Sequence, residues 1–178
     1  MMTAKVFENG RSQAVRLPKE CRFHTDEVAV NKIGDIVLLI PKTSKWSSFM
    51  QAIDMFSEDF MNEERTAGKE QEHDPAEICI SAVTYAELVH GVEKSQAIEK
   101  NRVALALLLA NIEILTFDSS AAESYGKIRA DLEKAGTPIG PLDMMIAGNA
   151  RSLGYTVVTN NTKEFERVKG LQLENWAE

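Results

Sequence analysis

The chain opens on short apolar runs cut by turn residues. Lys5–Phe7 precedes Asn9-Gly10, and Ala14–Leu17 is stopped by Pro18. Val28–Ile33 and Ile36–Ile40 flank Gly34-Asp35, a pattern that predicts a β-hairpin. So short a stretch cannot bury a sizeable core, and oligomerisation is expected of it. From Trp46 the period changes. Trp46, Phe49, Met50, Ile53, Phe56 and Phe60 recur at helical spacing, with Asp54, Glu58 and Asp59 on other faces. The stripe predicts an amphipathic helix that packs either on this protein's own core or in a partner's groove. Residues 66–77, TAGKEQEHDPAE, are polar and aperiodic, contain Gly68 and Pro75, and predict a linker.

Beyond the linker, strand and helix signals alternate. Ile78–Ser81 is a short apolar strand, and Ser81 is placed to cap a helix running to Lys94. A second helix is expected over 97–110, then a strand at Ile112–Phe117. Asp118 or Ser119 caps a third helix, with Gly136 as its stop. Pro141 opens a fourth, which Gly154 ends. Tyr155–Thr159 reads as a buried strand, Glu164 as the start of a short turn, and Leu171–Trp176 as a last edge strand. Alternation of this kind predicts a parallel α/β sheet flanked by helices.

Charge sharpens the division. Residues 1–42 carry 7 Lys+Arg against 5 Asp+Glu, residues 43–77 carry 3 against 9, and residues 78–178 carry 10 against 13, for a net −7. A mildly basic head beside an acidic hinge and body suggests separate partners, nucleic acid being the one that suits the head. No apolar run approaches the roughly 20 residues of a bilayer span. The first residues show no signal-peptide pattern. With 2 cysteines and 3 histidines, neither a disulfide scaffold nor a Cys/His zinc site is expected. A reducing cytoplasm is the expected compartment, without membrane association.

Candidate chemistry rests on carboxylates. Phosphate-binding glycine loops and nucleophile motifs are absent, which leaves nucleotide binding and acyl transfer without support. His24, His73 and His90 are isolated and read as surface or locally bonded residues, and Cys79 as a small core residue. Glu87 follows the Ile78 strand on its helix. Asp143 stands in the first turn of the Pro141 helix, where a capping role is the plain alternative. Asn161 and Glu164 follow the Tyr155 strand, where turn chemistry is the alternative. Carboxyl ends of strands are where open α/β sheets bind ligands. Close carboxylate pairs repel by roughly 1–4 kcal/mol, and a hard divalent cation relieves this.

Here a resemblance enters. ISAVTYAELVHGVEKS (Ile80–Ser95) and GTPIGPLDMMIAGNARSLGYTVVTNNTKEFERVKGLQLENW (Gly136–Trp176) resemble the PIN-domain toxins of the VapC family, Mg²⁺- or Mn²⁺-dependent ribonucleases. KVFENGRSQAVRLPKE (Lys5–Glu20) resembles the AbrB-like swapped-hairpin head of VapB and VagC antitoxins. KWSSFMQAIDMFSEDFMNEER (Lys45–Arg65) resembles the segment with which those antitoxins wrap their toxin. The resemblance implies four parts. These are a DNA-binding head over 1–42, a toxin-wrapping amphipathic helix over 43–65, an acidic linker over 66–77 and a truncated PIN domain over 78–178.

By position, Glu87 and Asp143 take the places of acidic metal ligands, and Asn161 and Glu164 the region of a looser ligand or water anchor. Asn9, Arg11, Ser12, Gln13 and Arg16 match the motif used for operator DNA or its scaffolding, Arg16 equally suiting a structural ion pair. Trp46, Phe49, Ile53, Phe56 and Phe60 take the places of groove anchors. The family's toxins begin with a central strand ending in an Asp-Thr-Asn-type motif. That strand is missing here, and Asp74 is the nearest acidic residue to its place. The implied function is a toxin–antitoxin fusion with an impaired ribonuclease. Its partners would be operator DNA, RNA, a second copy of the chain and an intact toxin or antitoxin chain. A non-catalytic DNA-binding regulator, with the PIN remnant as an interaction module, is the alternative.

Overall fold

A computed structural model describes residues 2–33, 36–41, 52–60 and 77–176. Two antiparallel hairpins form the head. Strand β1 (Lys5–Asn9) pairs with β2 (Ser12–Arg16) in the register Lys5↔Arg16 to Asn9↔Ser12. Gly10 turns the chain at φ +64°, and the Ser12 hydroxyl donates to the Asn9 carbonyl at 3.0 Å. Strand β3 (Val28–Ile33) pairs with β4 (Ile36–Pro41), closing the hairpin expected around Gly34-Asp35. Val6, Phe7, Val15, Val30 and Val37 all stand exposed, so the head buries little of its own apolar surface. The second hairpin lies against the Ile98–Leu108 helix and the 3₁₀ turn that follows it.

Of the expected amphipathic helix, Trp46 and Phe49 lie outside the described residues. Residues 52–55 are helical, and the chain then leaves the helix rather than continuing to Phe60. The physical reason is a tertiary contact. The Ser57 N–H donates to Asn101 Oδ1 at 2.8 Å instead of a helical carbonyl. Asn101 Nδ2 in turn donates to Ser57 Oγ at 2.7 Å and to Ser95 Oγ at 2.8 Å. The turn brings Phe56 and Phe60 into a stack, ring centroids 4.2 Å apart at 15°. Phe60 is buried with Val92, Leu105 and Leu109, and Phe56 packs on the edge of the same cluster. Asp59 Oδ2 accepts from the Gln96 N–H at 2.7 Å, which lowers its pKa.

The body follows the expected alternation. Strand β5 (Cys79–Ser81) runs into α1 (Ala82–Lys94), where the Ser81 hydroxyl accepts from the Thr84 N–H at 2.9 Å. Helix α2 (Ile98–Leu108) leads to β6 (Glu113–Leu115). Asp118 caps α3 (Ser119–Ala135) by accepting from the Ala121 N–H, and Gly136 ends it at φ +69°. Helix α4 (Pro141–Leu153) starts on Pro141 and ends on Gly154. Strand β7 (Thr156–Val158), the one-turn helix α5 (Thr162–Phe165) and β8 (Gln172–Glu174) complete the chain. The short turn expected at Glu164 is this one-turn helix, which begins two residues earlier at Thr162. The best-packed helix pair is α3 on α4. A Cβ at Gly148 would lie 3.0 Å from Tyr125, so only glycine lets the helices approach this closely.

The sheet does not run continuously. Strand β5 pairs in parallel with β6, and β7 in parallel with β8, with no ladder joining β5 to β7 among the described residues. Helix α4 bridges the two pairs, touching both β5 and β7. The core splits accordingly. One cluster gathers Ile128, Leu132, Met144, Val157 and Phe165, and the other Val92, Leu105, Leu109 and Phe60. Cys79, expected in the core, is half-buried at the gap between the pairs. Among the described residues no helix is long and apolar enough to cross a membrane.

Candidate functional site

Three carboxylates meet near the carboxyl ends of β5 and β7: Glu87 on α1, Asp143 in the first turn of α4 and Glu164 on α5. Each reaches the site for a local reason. Glu87 rides on the helix that Ser81 caps directly after β5. Asp143 follows Pro141, whose fixed φ suits a helix start, and the N-terminal dipole favours an anion there. The N-cap of α4 is Gly140, which has no side chain of its own to cap the helix. A Cβ at Gly140 would stand 2.9 Å from Asp143 Oδ2, so the absent side chain leaves room for the carboxylate to fold back. The Gly140 N–H donates to Glu164 Oε2 across 3.5 Å.

Burial pushes the Glu87 carboxyl above its usual range, and the charge of Asp143 pushes it further. Asp143 is raised by burial, then by the Glu164 charge and a hydrogen bond shared with that carboxyl. Among the described residues no cation offsets either shift. The folded chain thus holds these protons more tightly than the unfolded chain. The stability involved is complete below the ordinary carboxylate range and is lost as pH rises through the raised folded values. Asp143→Asn is therefore expected to raise the melting temperature by a few degrees near neutrality and to lose that advantage toward about pH 4. An equal gain at both pH values in thermal melts would show that charge is not the cause.

The donor chemistry fits a hard divalent cation, since the repelling groups are carboxylates and oxygen ligands suit Mg²⁺ or Mn²⁺. Glu87 and Asp143 would hold it. The set is incomplete, because among the described residues no group of three His, Cys, Asp or Glu side chains is placed to hold a metal ion. Asn161 stands at the start of α5, exposed, with its N–H donating to Thr159 Oγ1 at 3.1 Å and no side-chain cap bond. It is near the carboxylates in sequence but is not drawn into their interactions. Asp74 lies outside the described residues. Beside Glu87 runs a groove of about 1010 Å³, lined by Asp59, His90, Lys94, Leu142 and Met145 among others.

In the head, Asn9, Arg11, Ser12, Gln13 and Arg16 are exposed together around the first hairpin. Arg16 lies over the Phe7 ring at 5.5 Å, a cation–π packing contact. Ser12 braces the turn through Asn9. Sequence reasoning missed two buried amides, Asn101 and Asn149. The latter shares a face of α4 with Ile146 and Ala150, and a polar residue on an apolar stripe was its signal.

The PIN domain model matches residues 53–171. The match therefore takes in the segment carrying Phe56 and Phe60. The tRNA(fMet)-specific endonuclease VapC of Shigella flexneri is 51% identical over 100 residues, which are 56% of this chain and 76% of that enzyme. Ribonuclease VapC2 of Haemophilus influenzae is 43% identical over 99 residues, 56% of this chain and 75% of its own length. Among solved structures, DNA-bound VapBC from Salmonella typhimurium aligns with a TM-score of 0.54 at 49% identity, covering 55% of this chain and 74% of that one.

Proposed function

The chain belongs to the PIN-domain family, among the VapC ribonucleases, and on that premise we propose that it joins an impaired RNA-cleaving body to an operator-binding antitoxin head. The observation that carries the ribonuclease reading is the meeting of Glu87, Asp143 and Glu164, two of them with raised pKa values. A bound Mg²⁺ or Mn²⁺ ion supplies positive charge to a phosphodiester and a more acidic water. Glu87 and Asp143 would hold that ion. Glu164 keeps Asp143 turned back over Gly140, and Asn161 would anchor water at the start of α5. Lys94 and His90 line the adjoining groove, where they would meet the phosphates of an RNA strand.

Impairment follows from the gap in the sheet, where the family's opening strand and its aspartate belong. The alignment leaves about a quarter of the Shigella enzyme uncovered, 76% of it being matched. The test is cleavage of a structured RNA with Mg²⁺ or Mn²⁺ beside a Glu87→Ala/Asp143→Ala control. We expect no cleavage above that control. Cleavage abolished by the double substitution would show that the site works as it stands.

The head reading rests on the exposed cluster around the first hairpin and on the VapB-like motif there. DNA-bound VapBC structures among the neighbours support it. A second copy of the chain would complete the head, whose apolar strand faces stand bare. Arg11→Ala is expected to weaken binding to an operator-like duplex and to flatten its salt dependence, through loss of about one phosphate contact. An unchanged salt slope would remove Arg11 from the contact. The second reading, a non-catalytic regulator acting in the cytoplasm with an intact toxin or antitoxin partner, is favoured by one observation. The metal-binding set is incomplete among the described residues. Duplex binding without any RNA cleavage would select it.

A further inference from the structure

We propose that the cleft between β5 and β7 is a receptor for one extended segment of a second polypeptide, apolar at its centre and basic at its flank. Each of these strands is paired on one side only, β5 to β6 and β7 to β8, among the described residues. Their other edges line a common cleft of about 910 Å³. Its walls are apolar at Ile80, Leu115 and Val157, and α4 supplies the floor through Ile146 and Ala150. Two strand edges lining one slot above an apolar floor are what an added strand needs, with ladder bonds to either edge and side chains buried on both faces.

An independent observation points the same way. Asn149 is 2% exposed and lines the cleft. Its Nδ2 donates to the Thr116 carbonyl at 2.8 Å, which fixes the amide orientation. Among the described residues its Oδ1 has no hydrogen-bond partner. A buried acceptor left unmade is costly, and a backbone N–H of an inserted strand is the donor it lacks.

Composition favours a segment from another polypeptide. Of the two longer stretches of this chain outside the described residues, 61–76 reads MNEERTAGKEQEHDPA and has no apolar run, and 42–51 reads KTSKWSSFMQ, with Trp46 and Phe49 set among polar residues rather than in an apolar run. The strand Ile36–Pro41 is apolar but already paired in its hairpin. Glu77, Glu113 and Glu174 stand around the cleft, so a segment with a basic flank is electrostatically matched to it. Since β5 and β7 are short, a segment of about five or six residues spans them.

The test uses the full chain and an acetylated peptide with a Val/Leu centre and two flanking lysines. A control peptide carries proline at its central position, which removes a ladder donor. The expected result is a dose-dependent rise in melting temperature and slowed amide exchange at Ile80 and Val157, neither of which the proline peptide gives. Asn149→Leu is expected to weaken peptide binding by about five-fold, the loss of one hydrogen bond. No shift with either peptide, or an equal shift with both, overturns the proposal. If Asn149→Leu does not fold, the comparison of the two peptides on the unaltered chain decides alone. None of these readouts depends on RNA cleavage, so the ribonuclease reading stands or falls separately.

Discussion

Phe60→Asp is expected to destabilise the chain by about 3–5 kcal/mol, the range for deleting a buried aromatic, with further loss from burying a carboxylate. Phe60 is 4% exposed, stacked on Phe56 and enclosed by Val92, Leu105 and Leu109. Against a total stability of about 5–15 kcal/mol, such a change leaves a large part of the population unfolded. Phe56→Asp, at a half-buried position, costs less. Urea unfolding of both variants measures the difference. A loss below about 1 kcal/mol at position 60, the size of an ordinary surface change, would mean that the segment is not docked on the body in solution.

Asn101→Ala is the second large effect, at about 2–4 kcal/mol, because it strips several partners at once. Asn101 is fully buried, accepts from the Ser57 N–H and donates to both Ser57 Oγ and Ser95 Oγ. Its loss leaves a buried N–H and the turn at Ser57 without their anchor. Asn101→Asp keeps the acceptor but loses the donor, and is expected to fall between alanine and the native residue at acid pH and nearer alanine at neutrality. Near-native stability of Asn101→Ala in the same unfolding experiment would show that water replaces the amide.

Local chemistry explains which parts of the fold could be read in advance. Ser81, Asp118, Gly136, Pro141 and Gly154 mark helix ends by capping or by backbone preference, and each stands where the structure begins or ends a helix. The same holds for Asn9-Gly10 in the first hairpin. What local patterns do not encode is pairing between distant strands. The segments Cys79–Ser81 and Thr156–Val158 read as strands, but their failure to share a sheet depends on what fills the space between them. Likewise the helical stripe past Phe56 is broken by Asn101, more than forty residues along the chain, as the separation of 44 shows. At the site, Glu87 and Asp143 could be named from strand-end logic. Glu164's approach to Gly140 and Asp143 could not, since it depends on how α5 folds back over α4.

The docking of Phe56 and Phe60 onto α1 and α2 has a consequence for competition. The docked segment is part of the same polypeptide, joined to β5 through residues 61–76. A short tether holds its cargo at an effective concentration on the order of millimolar. Any free chain aiming for the same seat must displace a resident that cannot diffuse away. A competitor with a dissociation constant of about a micromolar would thus be half-bound only at a concentration raised in proportion to how well the resident itself binds. Exchange with a partner at this seat becomes limited by the release of the resident segment, independent of how much protein is made.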